Sequence, residues 1–281
     1  MDVQWYPGHM AKARRNMEEQ RKLIDVVCEL LDARVPLSSR NPDIDAMSAG
    51  KGRIVLLNKS DLADPLATAL WKEYFVSKGI LCSDVDARSA GSRKTVKDLI
   101  SEAGKPKMER DARRGIRNRP VRVMICGIPN CGKSTLINSL AGRASARTGN
   151  RPGVTKANQW IKLGAGAELL DTPGLLWPRF ESKETGLHLA LLGSINDAIL
   201  EPEELACELI SVLSEKYSSA VKDRYGILCY DTPYECLAQI AGSRHCLKKG
   251  GEPDTERAAR LLMDDFRSGK LGRITLERPD E

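Results

Sequence analysis

Eight consecutive residues, Gly127-Ile128-Pro129-Asn130-Cys131-Gly132-Lys133-Ser134, have the G-x-x-x-x-G-K-S spacing that folds a backbone around a phosphate group. Gly127 and Gly132 let the chain curl so that the N–H groups of Asn130, Cys131, Gly132, Lys133, Ser134 and Thr135 point inward. Lys133 brings a point charge to the outer phosphates, and the following helix N-terminus adds its partial positive charge. A second stretch, Asn58-Lys59-Ser60-Asp61, supplies base recognition. The Asp61 carboxylate accepts from the ring N–H and the exocyclic amine of guanine together, a donor pair that adenine lacks. Lys59 would pack along the base, and Asn58 would tie this loop to the phosphate loop. A third stretch, Asp171-Thr172-Pro173-Gly174, offers Asp171 to a water on Mg2+ and the Gly174 N–H to a γ-phosphate. Ser134 and Thr155, the latter in Gly153-Val154-Thr155, are the hydroxyls that would bind the Mg2+ directly.

Each motif needs an element to hold it at the carboxyl end of a strand, where open α/β sheets bind ligands. Short apolar runs meet that need at 26–31, 54–57, 80–85, 121–126, 159–163 and 167–170, and helices are expected at 10–24, 65–79, 94–103 and from Thr135. Strands alternating with helices at this spacing predict an α/β fold with a mostly parallel six-stranded sheet and right-handed crossovers. Asp86-Ala87-Arg88 ends the third strand, in place for a second guanine loop. There the Ala87 N–H would donate to the guanine carbonyl, while Asp86 and Arg88 depart from the usual Ser-Ala-Lys; Ala87 and Arg88 are the candidate nucleotide-binding residues, with Ser89-Ala90 as an alternative register. Beyond Trp177 the pattern turns helical, at 202–213, 220–225, 233–241 and 255–268. The expected division is a nucleotide domain over 1–178 and an all-helical domain over 179–281.

Composition excludes several classes. The 281 residues are 41% hydrophobic and 29% charged, which fits a soluble chain of about two domains. No apolar run approaches the roughly 20 residues of a membrane span, and the N-terminus has no export signal. Eight cysteines form no C-x-x-C pair, and Cys126 and Cys131 flank the phosphate loop, where a disulfide would distort it. Reduced thiols and a cytoplasmic location follow. The spacing of Cys229, Cys236, His245 and Cys246 fits no common zinc module. Between Lys105 and Arg122 lie eight basic and two acidic residues, an excess equal to the +6 of the whole chain. That run is either a contact for a nucleic-acid backbone or a solvated linker.

The order of the motifs is itself informative. An ordinary GTPase begins with its phosphate loop and ends with its guanine loops, whereas here Asn58 to Asp61 come first, so the chain is circularly permuted. It resembles the YlqF/RbgA family of circularly permuted GTPases that act in assembly of the large ribosomal subunit. The resemblance rests on the nucleotide motifs, on Trp5-Tyr6-Pro7-Gly8-His9-Met10-Ala11-Lys12-Ala13, on Leu31 to Pro36 with Ser39-Arg40-Asn41-Pro42, and on Asp171 to Gly174 running into Trp177-Pro178. It implies a GTPase that binds GTP, GDP and Mg2+ and works with the large ribosomal subunit, its rRNA and its ribosomal proteins as a monomer off the ribosome. A nucleotide-dependent signalling switch with negligible hydrolysis is the alternative. Leu175 stands where many GTPases carry the water-orienting glutamine. Asn130 resembles the asparagine of potassium-activated GTPases, which holds K+ beside the β- and γ-phosphates; otherwise it is a turn residue. His9, expected on a loop near the switches, is the candidate water-positioning group, or else a helix cap or rRNA contact. His9, Asn130, Lys133 and Thr155 are thus the candidate catalytic residues.

Overall fold

A computed structural model describes residues 8–116, 119–142, 159–163, 166–178, 180, 182–195 and 201–279. The chain opens with α1 (Gly8–Gln20) and a 3-10 turn (Arg21–Leu23), then β1 (Val26–Asp32), α2 (Asp43–Met47), β2 (Gly52–Asn58), α3 (Pro65–Ser77), β3 (Leu81–Val85) and α4 (Ala90–Arg113). It continues with β4 (Val121–Cys126), α5 (Lys133–Ala141), β5 (Gln159–Lys162) and β6 (Ala167–Asp171). The strands form one six-stranded sheet in the order β3-β2-β1-β4-β6-β5, parallel throughout except for β5 against β6. This matches the expected α/β class. Sheet order reverses at β1, with β2 on one side and β4 on the other, so the crevice at that switch point collects the loops that follow β2 and β4.

All seven residues of β1 are buried, as a central parallel strand covered on both faces requires. One of them is Glu29, whose carboxyl is pushed up to about 7 because burial outweighs the opposing charges of Arg53 and Arg40. Glu29 accepts from Arg53 on β2 at 3.2 Å and from the Asn41 N–H at 3.2 Å, while the Asn41 side chain donates to Leu175 O at 3.4 Å. A loop after β1 is thereby pinned both to the sheet and to the segment after Gly174. At the start of α3 the sequence specifies its own stop and start: Asp64 accepts from the N–H groups of Leu66 and Ala67, and Pro65 occupies the first turn.

Two elements differ from expectation. The helix expected to end at Ala103 runs on to Arg113 with Pro106 inside it. Gly104 lets β4 approach, since a Cβ there would sit 2.9 Å from Val121, and buried Lys107 donates to Arg119 O and Pro120 O at 2.9 and 3.1 Å. Packing against the chain that leads into β4 therefore overrides the proline's preference to stop. Lys107 and Arg122, the latter paired with Glu168 at 3.4 Å, are structural members of the basic run. His9, expected on a loop, belongs to the first turn of α1.

Helices α6 (Lys183–Leu191), α7 (Pro202–Lys216), α8 (Ser219–Tyr225), α9 (Pro233–Ser243) and α10 (Thr255–Arg267) complete the chain. Among the described residues no strand follows β6, and no helix is long and apolar enough to cross a membrane. After α10 the chain returns to the sheet: Ile274 N–H donates to Leu62 O at 3.0 Å, Leu276 N–H to Arg34 O at 2.8 Å, and Trp71 Nε1 to Glu277 O at 3.2 Å.

Candidate functional site: a phosphate loop facing two base loops

The phosphate loop leaves β4 at Gly127 (φ 153°), passes Asn130 (φ 61°) and Gly132 (φ 99°), and enters α5 at Lys133. The glycines are required by crowding as well as by φ. A Cβ on Gly127 would lie 2.4 Å from Leu30 O, and one on Gly132 would lie 2.4 Å from Asn58 Nδ2. Lys133 is buried, with Nζ donating to Gly127 O at 3.0 Å and Ile128 O at 2.7 Å. Ser134 and Thr135 follow it in the first turn of α5, both partly exposed.

The stretch after β6 closes on this loop. Leu175 N–H donates to Gly127 O at 3.2 Å, and a Cβ on Gly174 would meet Pro129 Cα at 2.8 Å and Lys133 Nζ at 3.2 Å. Only glycine fits there. The Leu175 side chain is buried, so it neither replaces a glutamine nor reaches solvent. Asp171 points a buried Oδ1 with no hydrogen-bond partner, and burial pushes its carboxyl up to about 6 against the pull of Lys133. An orphaned buried carboxylate oxygen beside a phosphate loop fits a hydrated Mg2+, for which phosphate oxygens and the Ser134 hydroxyl would be the other ligands. Among the described residues no cluster of three His, Cys, Asp or Glu forms a protein-only metal cage. Thr155 lies outside the described residues, as does the side chain of His9.

Asn58 cross-links the site. Its Nδ2 donates to Cys131 O in the phosphate loop at 2.7 Å, and its Oδ1 accepts from the Ala87 N–H at 3.0 Å. One amide thus joins the three loops after β2, β3 and β4. The Ala87 N–H, expected to face a guanine carbonyl, here donates to Asn58. Ser60 N–H donates to Val85 O at 3.2 Å, which holds the first base loop to the second. Asp61 Oδ2 receives Arg88 Nη2 at 2.5 Å.

Lys59 (φ 59°) leads to two residues that sequence reasoning missed. Its Nζ donates to Asn130 O and to Asp32 Oδ2, each at 2.8 Å. Asp32, in turn, receives Arg34 Nε and Nη2 in a bidentate pair, each bond 2.9 Å. Burial alone would push the Asp32 carboxyl up, but Arg34 and Lys59 hold it well below the usual carboxylate range. Arg34 also donates to Phe266 O at 3.4 Å and Arg267 O at 3.2 Å, at the C-terminal end of α10. The only signal in the sequence was an Asp and an Arg flanking Ala33 at a strand's carboxyl end. On the phosphate side, Asn130 Nδ2 donates to Gly193 O at 2.6 Å and Ser194 Oγ to Pro129 O at 3.0 Å. Residues just after α6 therefore touch the phosphate loop, and the end of α10 is linked to the base loop through Arg34, Asp32 and Lys59.

Comparisons with known proteins agree with this geometry. Residues 122–225 match the 50S ribosome-binding GTPase family. The chain is 46% identical to ribosome biogenesis GTPase A of Bacillus cereus, across 100% of this chain and 95% of that protein. It is 33% identical to the protein of the same name from Thermotoga maritima, across 99% and 95% of the two. A solved GDP-bound YlqF superimposes with a TM-score of 0.71 at 31% identity, covering 95% of this chain and 100% of that one.

Proposed function

Because the chain belongs to the YlqF/RbgA family of ribosome biogenesis GTPases, we propose that it binds a late assembly intermediate of the large ribosomal subunit and promotes its maturation through GTP hydrolysis. Membership makes it a GTP hydrolase that binds GTP and GDP. The observation that carries the nucleotide reading is the Asn58 bridge, which joins base loop to phosphate loop although their order in the chain is inverted. The rest of the proposal builds on it. Residues 1–178 carry the nucleotide and 179–281 carry RNA contacts, aided by exposed cations such as Lys105, Arg113 and Arg114. The protein acts in the cytoplasm as a monomer that engages rRNA and ribosomal proteins.

Ser134 and Thr155, with Asp171 through water, would hold Mg2+, which supplies charge to neutralise the phosphates. Lys133 shifts from Gly127 O and Ile128 O to the phosphate oxygens, and Gly174 turns its N–H to the γ-phosphate. Asp61 receives the guanine donors and Lys59 lies along the ring. Leu175 cannot orient water, so His9 would take that role and Asn130 would hold K+, which would supply the charge that an arginine finger brings elsewhere.

One assay tests the set: GTP turnover with and without purified large subunits, in K+ and in Na+ at equal ionic strength. We expect stimulation by the subunit and several-fold faster turnover in K+. Asn130→Ala should collapse the K+/Na+ ratio, which loss of its Gly193 contact alone would leave intact, and His9→Phe should lower stimulated turnover at unchanged GTP affinity. A turnover that ignores the subunit favours a signalling switch, and equal rates in the two salts remove K+ from the mechanism.

A further inference from the structure

The two base loops are bridged by an ion pair that guanine itself must displace. Arg88 Nη2 lies 2.5 Å from Asp61 Oδ2, while its Nε and its own backbone N–H donate to Asp86 Oδ1 at 3.1 and 2.9 Å. Asp61 follows β2, whereas Asp86 and Arg88 follow the neighbouring parallel strand β3, so the guanidinium spans the mouth between the loops. Arg88 thus occupies one oxygen of the carboxylate to which guanine would offer two donors, with its Nε turned to Asp86 instead.

We propose that Arg88 is a latch, a specificity-determining residue whose guanidinium occupies one oxygen of the Asp61 carboxylate and must be released before the base docks. The inference rests on the reading of Asp61 as the guanine acceptor. Three observations support it. Arg88 also neutralises Asp61 and Asp86, whose like charges would otherwise repel across the mouth. Asp86 keeps two of the three contacts when Asp61 lets go, so the released side chain stays tethered at the loop. At 68% exposure the Arg88 side chain is in reach of solvent, and exposed pairs shift an equilibrium by only about two- to fivefold, so the latch delays docking without preventing it. A ligand that lacks guanine's donor pair, such as adenine, leaves the latch closed.

Stopped-flow binding of a fluorescent GDP to the full chain stripped of nucleotide tests this. Arg88→Ala should raise the association rate constant about threefold while dissociation changes by less than about twofold, with Arg88→Lys falling between. The gain should vanish at about 1 M salt, where the Debye length is about 3 Å. Association at or below the wild-type rate in Arg88→Ala, or a gain that persists at high salt, overturns the latch. The Asp61→Asn variant, tested with xanthosine nucleotides, separates the two layers. If it keeps its guanine preference, the reading of Asp61 fails. If it switches while Arg88→Ala is not faster, the latch alone falls.

Discussion

Replacing Asp61 by asparagine should weaken GTP and GDP binding by about 10²–10⁴-fold and bring xanthosine nucleotides to the fore. Guanine gives the carboxylate two donors, and a hydrogen bond to a charged group contributes about 1.5–3 kcal/mol. Two such bonds lost together amount to about 3–6 kcal/mol, at 1.4 kcal/mol per decade of affinity. Xanthine carries a carbonyl where guanine carries its amine, so the Asn side chain can donate to that oxygen and accept from the ring N–H. The substitution also frees Arg88 from its 2.5 Å contact, which lowers any barrier to docking but cannot restore the lost acceptor. Competition of GTP and xanthosine triphosphate for the variant, read by equilibrium fluorescence, decides the matter. An unchanged order of preference would show that Asp61 does not read the base.

Replacing Arg34 by methionine should destabilise the fold by about 3 kcal/mol. Arg34 and Asp32 are 1% and 0% exposed, so removal of the arginine leaves a buried carboxylate with Lys59 as its remaining partner. Breaking a buried pair from one side typically costs about 3–5 kcal/mol, and retention of Lys59 places this site at the lower end. The loss does not stop at Asp32. Arg34 also serves the carbonyls of Phe266 and Arg267 at the negative end of α10 and lies 5.4 Å over the Phe266 ring. Since Lys59 is held between Asp32 and Asn130 O, GDP affinity should fall about tenfold in the same variant. Arg34→Lys keeps the charge but not the planar fork, so its defect should be intermediate. Urea unfolding and GDP titration of both variants supply the check; an unfolding free energy within about 0.5 kcal/mol of wild type would refute the role assigned to Arg34.

These two residues show what the sequence makes legible and what it does not. Asp61 sits in a four-residue pattern at the end of a continuous apolar run, and runs buried on both faces of a parallel sheet can be read by eye. The same holds for Gly127 to Ser134 and for Asp171 to Gly174, whose strands lie within a residue or two of their expected bounds. Arg34 has partners 232 and 233 positions away, a relation that no local pattern encodes. Helix α4 passes through Pro106 because Lys107 and Gly104 make tertiary contacts, which propensity does not see. Helix α6 is nine residues long with a Ser182 cap, too short for its periodicity to stand out. Residues 86–88 follow β3, and the Ala87 N–H there is held by Asn58, 29 positions earlier, a contact that no local pattern encodes.

The placement of α10 and the tail after it gives the nucleotide site a second tie to the helical region. Arg273 donates to Ala63 O and Ser60 O, each at 2.8 Å, and Tyr217 Oη to Asp64 Oδ2 at 3.1 Å. Residues 60 and 63 are thus held by the tail after α10, while Gly174, proposed to meet the γ-phosphate, runs into the helical region through Leu175, Leu176 and buried Trp177. A nucleotide that draws on both loops should therefore bias how the helices sit, and by linkage a partner that grips the helices should bias the nucleotide.

Co-sedimentation with purified large ribosomal subunits tests that coupling most directly. With a non-hydrolysable GTP analogue the protein should pellet with the subunit; with GDP it should stay largely in the supernatant; and Lys133→Ala should stay there with either nucleotide. Equal pelleting in all of these conditions would contradict the account, since the subunit would then be bound without reference to the nucleotide site.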